Sequence, residues 1–188
     1  MRATARASSD DDRHLIERVR RGDQDAASTI YERYFDRIYN YVYARIGRVE
    51  DAEDLAIDTM TRSLTRLDLF QDQGVAFSSW LYRIAHNATI DHYRRRGKVT
   101  LVPLENAVLP QSADPSDLAL EQLSNEELRS ALRTLTDEQQ QVLILRFFQD
   151  LTATQVAEII GKSVGAVQAL QHRALGSLER VLQGRAVN

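Results

Sequence analysis

Residues 152–182 decide the fold of this chain, and they read TATQVAEIIGKSVGAVQALQHRALGSLERVL. On both sides of Gly161 the apolar residues recur at steps of three and four, which is the period of an amphipathic helix. Glycine takes a positive φ at a tight turn without steric cost, and Ser163 can cap the helix that follows. The pattern therefore predicts a helix, a short turn and a second helix, which together form a helix-turn-helix unit.

The second helix of this unit is a candidate for contact with DNA, because in helix-turn-helix proteins it enters the major groove. Glutamine can bond the edge of adenine, arginine can bond guanine, and lysine can reach a phosphate. The candidate contacts are Lys162, Ser163, Gln168, Ala169, Gln171, His172 and Arg173. An ordinary helical hairpin with a polar outer face has the same pattern, so this segment alone leaves both interpretations open.

Upstream of this unit, the sequence predicts two helical domains joined by a linker. All three prolines fall within residues 99–128, and proline interrupts helices. We therefore expect a linker over residues 99–123, with helix resuming near Asp117, between domains at 13–98 and 124–184. Three capping boxes, each a Ser or Thr followed three residues later by Glu or Gln, predict helix starts in the second domain. They are Ser124 with Glu127, Thr136 with Gln139 and Thr152 with Gln155.

The first domain also has the apolar spacing of helices, so the fold class is predicted to be all-α. Asp23 is a good N-cap, and most of the aromatic residues that follow it are expected in the core. The predicted elements are a short helix around Leu15 and Val19, a helix from Asp23 to Gly47, a helix over about 49–67, a loop over 68–78, and a helix that Ser78 or Ser79 caps and that ends at Gly97.

Composition and charge exclude several classes of protein. The chain has 188 residues and no cysteine, which rules out disulfides, thiol catalysis and cysteine-ligated zinc. Residues 1–12 hold no apolar stretch of the kind a secretory signal needs, and no segment is continuously apolar, so a cytosolic protein is expected. The net charge of −3 hides two basic segments, since residues 80–98 carry +4 and residues 162–188 carry +3, with −6 over residues 99–128.

The first basic segment combines aromatic and cationic side chains. Rings that stack on bases and cations that follow phosphates are what unstacked nucleic acid requires. Trp80 could instead be the hydrophobic anchor of its domain. The run Arg94 to Arg96 could instead be a solvated helix end, where positive charge interacts favourably with the helix dipole. The segment includes Trp80, Tyr82, Arg83, Asn87, Tyr93 and Arg94 to Arg96.

An acidic segment, residues 50–58, places carboxylates four residues apart on one side of a helix. Clustered carboxylates can bind a divalent metal, but no histidine lies nearby at helical spacing. A solvated acidic face or a docking face for a basic partner is therefore favoured. The chain also has no nucleophile elbow, phosphate-cradling loop or metalloprotease motif, so no catalytic residue, cofactor or metal is predicted.

Taken in order, these motifs resemble those of bacterial extracytoplasmic-function (ECF) sigma factors. The similarity covers about residues 13–98 and 124–184. It rests on four segments: GDQDA at residues 22–26, DAEDL at 51–55, FSSWLYRIAHN at 77–87 with Asp91 and Arg94-Arg95, and the stretch from Leu135 to Ala174.

The resemblance implies an all-α protein that binds core RNA polymerase and directs promoter-specific initiation without being an enzyme itself. It implies core-polymerase contacts at Asp51, Glu53, Asp54, Leu55 and Asp58. It implies −10 DNA contacts at Phe77, Ser79, Trp80, Arg83, Asn87, Asp91, Arg94 and Arg95. It assigns the −35 element to the seven candidates on the helix after Gly161, and it implies an anti-sigma factor as a regulatory partner.

Two alternatives belong to other functional classes. A stand-alone helix-turn-helix regulator would need a dimer interface and palindromic half-sites. A metal-dependent enzyme would need Glu50, Asp54 and Asp58 to hold an ion.

Overall fold

The computed structural model describes residues 2–71, 75–95, 131–132 and 134–185, and all regular secondary structure in that part of the chain is helical. The all-α prediction is confirmed. The predicted linker at 99–123 and the capping box at Ser124 lie outside the described residues. The helices are α1 (Arg2–Arg20), α2 (Gln24–Ile46), α3 (Val49–Thr65), α4 (Phe77–Arg95), α5 (Asp137–Leu143), α6 (Ala153–Ile160) and α7 (Val164–Arg185).

The start and stop signals of the sequence act as predicted. The Asp23 carboxylate accepts from the Ala26 amide at 3.1 Å. Gly161 ends α6 with φ 67°, in the left-handed region where glycine avoids the steric cost of a side chain. Both hydrogen bonds of a capping box are present at Thr136 and at Thr152. In each box the threonine hydroxyl accepts from the backbone amide of the glutamine three residues later, and the side chain of that glutamine accepts from the backbone amide of the threonine.

Three boundaries differ from the prediction. The first helix is not short but begins at Arg2, because the Ala- and Arg-rich residues before Leu15 contain no helix breaker. Neither Ser78 nor Ser79 is the cap of α4, since this helix already begins at Phe77. The described part of the loop after α3 contains a 3₁₀ turn, Leu67–Leu69.

A fourth difference follows α5, which continues into a π-helical turn, Ile144–Phe148. The periodicity of the sequence gave no sign of this turn. Such turns are rare and often lie at functional sites.

The N-terminal domain packs α1 to α4 around a largely aliphatic and tyrosine core. Tyr41, Met60 and Leu81 are fully buried in it. An aromatic cluster closes one end, where the rings of Phe70, Phe77 and Trp80 lie within 6 Å of one another.

The two predicted domains share one hydrophobic core. Helix α6 of the C-terminal domain packs against α4, and its buried residues Val156 and Ile159 join the same cluster as Leu81 and Ala85. The described part of the C-terminal domain keeps only a small cluster of its own, made of Ala131, Leu132, Leu135, Leu143, Ala174 and Leu178. The sequence predicted two lobes but gave no indication that they pack together.

Polar contacts also cross this lobe interface. The side chain of Arg45 on α2, only 2% exposed, forms an ion pair with Asp137 at 2.7 Å and donates to the backbone carbonyl of that residue at 3.2 Å. The Tyr82 hydroxyl donates to the side-chain oxygen of Gln149. The amide of Gln141 meets the ring of His86. Because these groups lose water when the lobes pack, each pair compensates a desolvation cost.

The buried His86 makes the stability of the packed form depend on pH. Burial, together with the Arg45 guanidinium, lowers its pKa to about 4 from the usual 6.5, while Asp137 opposes the shift. Between pH 4 and pH 6.5 the unfolded chain binds a proton that the folded chain does not. The contribution of His86 to the free energy of unfolding is therefore complete above pH 6.5 and is lost as the pH falls toward 4.

We expect this group to contribute up to about 3 kcal/mol to the pH dependence of unfolding. Urea titrations at several pH values between 4 and 7 measure it. His86→Gln should flatten the slope in this range, and His14→Gln, at an exposed histidine, serves as the matched control. An unchanged slope in His86→Gln would show that the ring is not held neutral.

Candidate nucleic-acid interface and acidic docking face

Helix α7 buries one side and exposes the other. Val167, Leu170, Ala174 and Leu178 face the core. The Ser163 hydroxyl accepts from the Ala166 amide at 3.2 Å and caps the helix as predicted. Of the seven candidate −35 contacts, Gln171 is half-buried, and Lys162, Ser163, Gln168, Ala169, His172 and Arg173 are exposed.

The turn before α7 brings the two helices of the predicted unit close together. Ala157 on α6 is buried, and its carbonyl accepts from the Lys162 amide at 3.0 Å just after Gly161. Such an arrangement leaves the second helix free to enter a DNA groove.

Two neighbours of α7 were missed by sequence reasoning. Lys162, a candidate phosphate contact, forms an ion pair with Glu138 at 2.8 Å. Arg146, on the π-helical turn, donates to the side chain of Gln171 at 3.0 Å. Both partners precede the helix-turn-helix unit in sequence, so its spacing could not reveal them.

Helix α4 presents a polar stripe to solvent. The candidates Arg83, Asn87 and Asp91 follow one another at intervals of four residues, and Arg94 and Arg95 extend the stripe at the end of the helix. All five are exposed, and they share one side of the helix. Asp91 lies 3.8 Å from Arg94, so one cation of the stripe has a carboxylate neighbour.

The other three −10 candidates are placed differently. Phe77, Ser79 and Trp80 are buried, with 4%, 2% and 8% of their surface exposed. These positions do not favour direct contact with DNA, because the rings of Phe77 and Trp80 pack against Phe70 and the Ser79 side chain is buried. The burial of Trp80 favours its alternative interpretation as the hydrophobic anchor of its domain.

The acidic candidates lie on α3 beside a groove of about 250 Å³ between α3 and α4. Glu53 and Asp54 are exposed, while Asp51, Leu55 and Asp58 are half-buried. Asp58 pairs with Arg62 at 2.7 Å and Asp51 with Arg48 at 3.5 Å, whereas Glu53 and Asp54 form no ion pair within the described part of the chain.

An exposed apolar residue adjoins these carboxylates. Ile57 keeps 48% of its surface in contact with solvent, four residues after Glu53 and three after Asp54, so it shares their side of α3. An apolar centre with a charged rim is typical of protein–protein interfaces. The sequence signal was available, since an isoleucine interrupts a polar helix face.

Neither a metal centre nor a membrane span is found among the described residues. No group of three or more His, Asp or Glu side chains there is arranged to hold an ion. No helix in the same part of the chain combines the length and apolar character needed to cross a bilayer.

Comparisons with known proteins match this arrangement. The model of the family Sigma-70 region 2 matches residues 30–99, and that of Sigma-70, region 4 matches residues 131–180. The chain is 40% identical over 171 residues to the ECF RNA polymerase sigma factor BldN of Streptomyces coelicolor, covering 89% of this chain and 64% of that protein. It is 36% identical over 160 residues to the RNA polymerase sigma factor YlaC of Bacillus subtilis, covering 84% of this chain and 92% of that protein.

Two solved structures share the fold. One is CnrH in complex with the cytosolic domain of CnrY, with a TM-score of 0.68, 24% identity, and coverage of 92% of this chain and 97% of that one. The other is the sigma factor RpoE of Bartonella quintana in complex with the anti-sigma factor NepR, with a TM-score of 0.67, 20% identity, and coverage of 83% and 96%. The ordered motifs, the two family models and the relatives together show that this chain belongs to the ECF sigma factors, the RNA polymerase subunits that direct promoter-specific initiation of transcription.

Proposed function

We propose that α3 docks on core RNA polymerase, that α4 holds the −10 element and that α7 reads the −35 element. The observation that carries this division is the exposure pattern. Each of the three helices buries an apolar side and turns a distinct set of polar residues to solvent: Glu53 and Asp54 on α3, Arg83 and Asn87 on α4, and Gln168 and Arg173 on α7.

The domain boundaries follow from the same proposal. The −10 and polymerase functions belong to residues 13–98 and the −35 function to residues 124–184, with residues 99–123 as the linker. The family matches at 30–99 and 131–180 fall within or close to these limits. The chain itself carries no chemistry in this proposal, because the polymerase with which it acts in the cytoplasm supplies the active site.

Promoter binding requires the lobes to separate. Elements centred near −10 and −35 are roughly 25 base pairs apart, or about 85 Å of B-form DNA. Packed helices have axes about 8–10 Å apart, and α4, α6 and α7 pack in succession. Even with helix lengths of about 30 Å, their DNA faces cannot span that distance together. Residues 96–130 can bridge it after separation, since a chain of that length reaches at most about 120 Å.

A partner that stabilises the packed lobes would act as an inhibitor. RpoE of Bartonella quintana is solved with the anti-sigma factor NepR, and CnrH with the cytosolic domain of CnrY. We extend this kind of regulation to the present chain. Its complete lack of cysteine means that any thiol-based redox sensing belongs to the partner.

Transcription by core polymerase with and without this chain tests the proposal. We expect the chain to produce transcripts from a defined subset of promoters in a genomic DNA library. The absence of any promoter-specific transcript from such a library overturns the proposed function.

Two substitutions are expected to separate the DNA-binding roles. Arg173→Ala should weaken binding of the holoenzyme to the −35 element by about 5- to 150-fold, which is the range for one lost base contact. Asn87→Ala should leave duplex binding nearly intact and slow promoter melting. Gel-shift and permanganate-footprinting assays measure the two steps.

Arg180→Ala is the matched control for the first variant. Arg180 is exposed on the same helix seven residues further on. It lies beyond the N-terminal part of the helix, which contacts base edges in helix-turn-helix proteins, so Arg180→Ala should retain the wild-type affinity for the −35 element. Equal loss of duplex binding in Arg173→Ala and Asn87→Ala would contradict the division of labour.

A further inference from the structure

A cleft of about 270 Å³ lies beside the exposed face of α7. It is lined by Arg146, Ala153, Gln168, Gln171, His172 and Leu175. Of these, Arg146 comes from outside the helix-turn-helix unit, on the π-helical turn Ile144–Phe148. Its side chain therefore reaches α7 from the preceding element.

Arg146 is held in place at both ends of its guanidinium group. One terminal nitrogen donates to the backbone carbonyl of Leu151, just before α6. The Nε–H donates to Oε1 of Gln171 at 3.0 Å. Arg146 is half-buried, so this second bond is partly shielded from water.

The bond to Arg146 fixes the orientation of the Gln171 amide. A guanidinium group has only donors, so the amide atom that faces it must be the oxygen. The NH₂ group is then turned away from Arg146. A flipped amide would set two donors against each other and lose the bond.

This orientation changes which base Gln171 can read. Bidentate recognition of adenine needs both the oxygen and the NH₂ group of a glutamine, to accept from N6 and donate to N7. Here the oxygen faces Arg146, which takes up one of its two lone pairs, so the NH₂ group is the part of the amide that can turn toward a base. Guanine offers two adjacent acceptors, O6 and N7, and thymine offers O4. Adenine offers N7 as an acceptor too, but its neighbouring N6 amino group is a donor that the NH₂ group of Gln171 cannot satisfy, so adenine is the poorer partner.

We propose that Arg146 is a positioning residue that makes Gln171 select guanine or thymine, and not adenine, at one position of the −35 element. This inference rests on the proposed function of α7. Gln168 offers an internal contrast, because it is exposed and its amide has no hydrogen-bond partner in the described part of the chain. Its amide is free to adopt either orientation.

The first test measures base preference with the holoenzyme and a promoter library randomised in the −35 element. The wild-type protein should favour guanine or thymine over adenine by about tenfold at one position. Arg146→Lys keeps the positive charge but removes the Nε–H that faces Gln171 and the planar group that holds it there. It should relax the preference at that position alone. Equal weakening on all sequences would show that Arg146 only contacts phosphate, and it overturns the inference.

The second test does not depend on removing Arg146. In Gln171→Glu, one carboxylate oxygen can pair with Arg146 and the other offers only an acceptor. The preference at the same position should switch to cytosine or adenine, whose amino groups donate. Gln168→Glu makes the same charge change at another residue of the DNA-facing side, and its effect on base preference should fall at a different position of the −35 element. A wild-type preference retained in Gln171→Glu overturns the inference.

A double-mutant cycle completes the design. The effects of Arg146→Lys and Gln171→Ala on preference should not add, because the first acts through the second. Failure of the proposed function is distinguishable, since the wild-type holoenzyme would then select no −35 sequence at all. If the wild-type holoenzyme selects a −35 sequence but the effects of the two substitutions add, the proposed function stands and the positioning role of Arg146 is refuted.

Discussion

Asp54→Lys is expected to lower the affinity of the chain for core polymerase by about 100-fold or more. Asp54 is exposed, it adjoins Glu53 and the exposed Ile57, and we assign this face to a basic surface of the polymerase. Bringing like charges together at an interface costs several kcal/mol, and about 3 kcal/mol corresponds to a factor of about 150. Surface charge changes of this kind seldom affect folding.

The effect is measured by titration of labelled chain with core polymerase. Glu32→Lys is the matched control, because it makes the same charge change at an exposed position on α2. Transcription should fall in parallel with affinity in Asp54→Lys and stay near the wild-type level in Glu32→Lys. If both variants bind polymerase equally well, α3 is not the docking helix.

Trp80→Ala is expected to lower the free energy of unfolding by about 3–5 kcal/mol, the usual cost of emptying a buried aromatic site. Its ring packs on Phe77 and Phe70 and is only 8% exposed. Trp80→Phe keeps part of the packing and should cost much less. Urea unfolding followed by circular dichroism gives both values.

The same two variants decide between the interpretations of Trp80. If the ring anchors the domain, loss of promoter melting should follow loss of stability. If it touches DNA, Trp80→Phe should melt promoters poorly while remaining nearly as stable as the wild type. As the single tryptophan of the chain, it also reports directly on its own surroundings through fluorescence.

Local signals in the sequence were enough to place most helix ends. Asp23, Thr136 and Thr152 cap helices through contacts within three residues, and such contacts depend little on the rest of the fold. Periodicity likewise separated the buried and exposed sides of α7. The residues of the polar stripe on α4 were named from the mix of aromatic and basic residues and from the family resemblance.

What the sequence could not supply were contacts between distant residues. The ion pair of Arg45 with Asp137 joins positions 92 residues apart, and Tyr82 meets Gln149 across 67. Neither pair has a spacing that a periodic pattern could reveal. The same reason hid the contact of Arg146 with Gln171, on which the base preference of α7 depends in our proposal.

The core shared by the two lobes has a consequence for how tightly this sigma factor binds. In our proposal polymerase and promoter engage only separated lobes, so the measured affinity is the intrinsic affinity multiplied by the fraction of chains that are open. An open fraction of about 1% weakens binding about 100-fold without altering a single contact. A clamping protein therefore needs no access to α7 or to the stripe on α4. Because the clamping protein binds only chains with packed lobes, raising its concentration increases the closed fraction. Its concentration therefore sets how much polymerase the chains can bind.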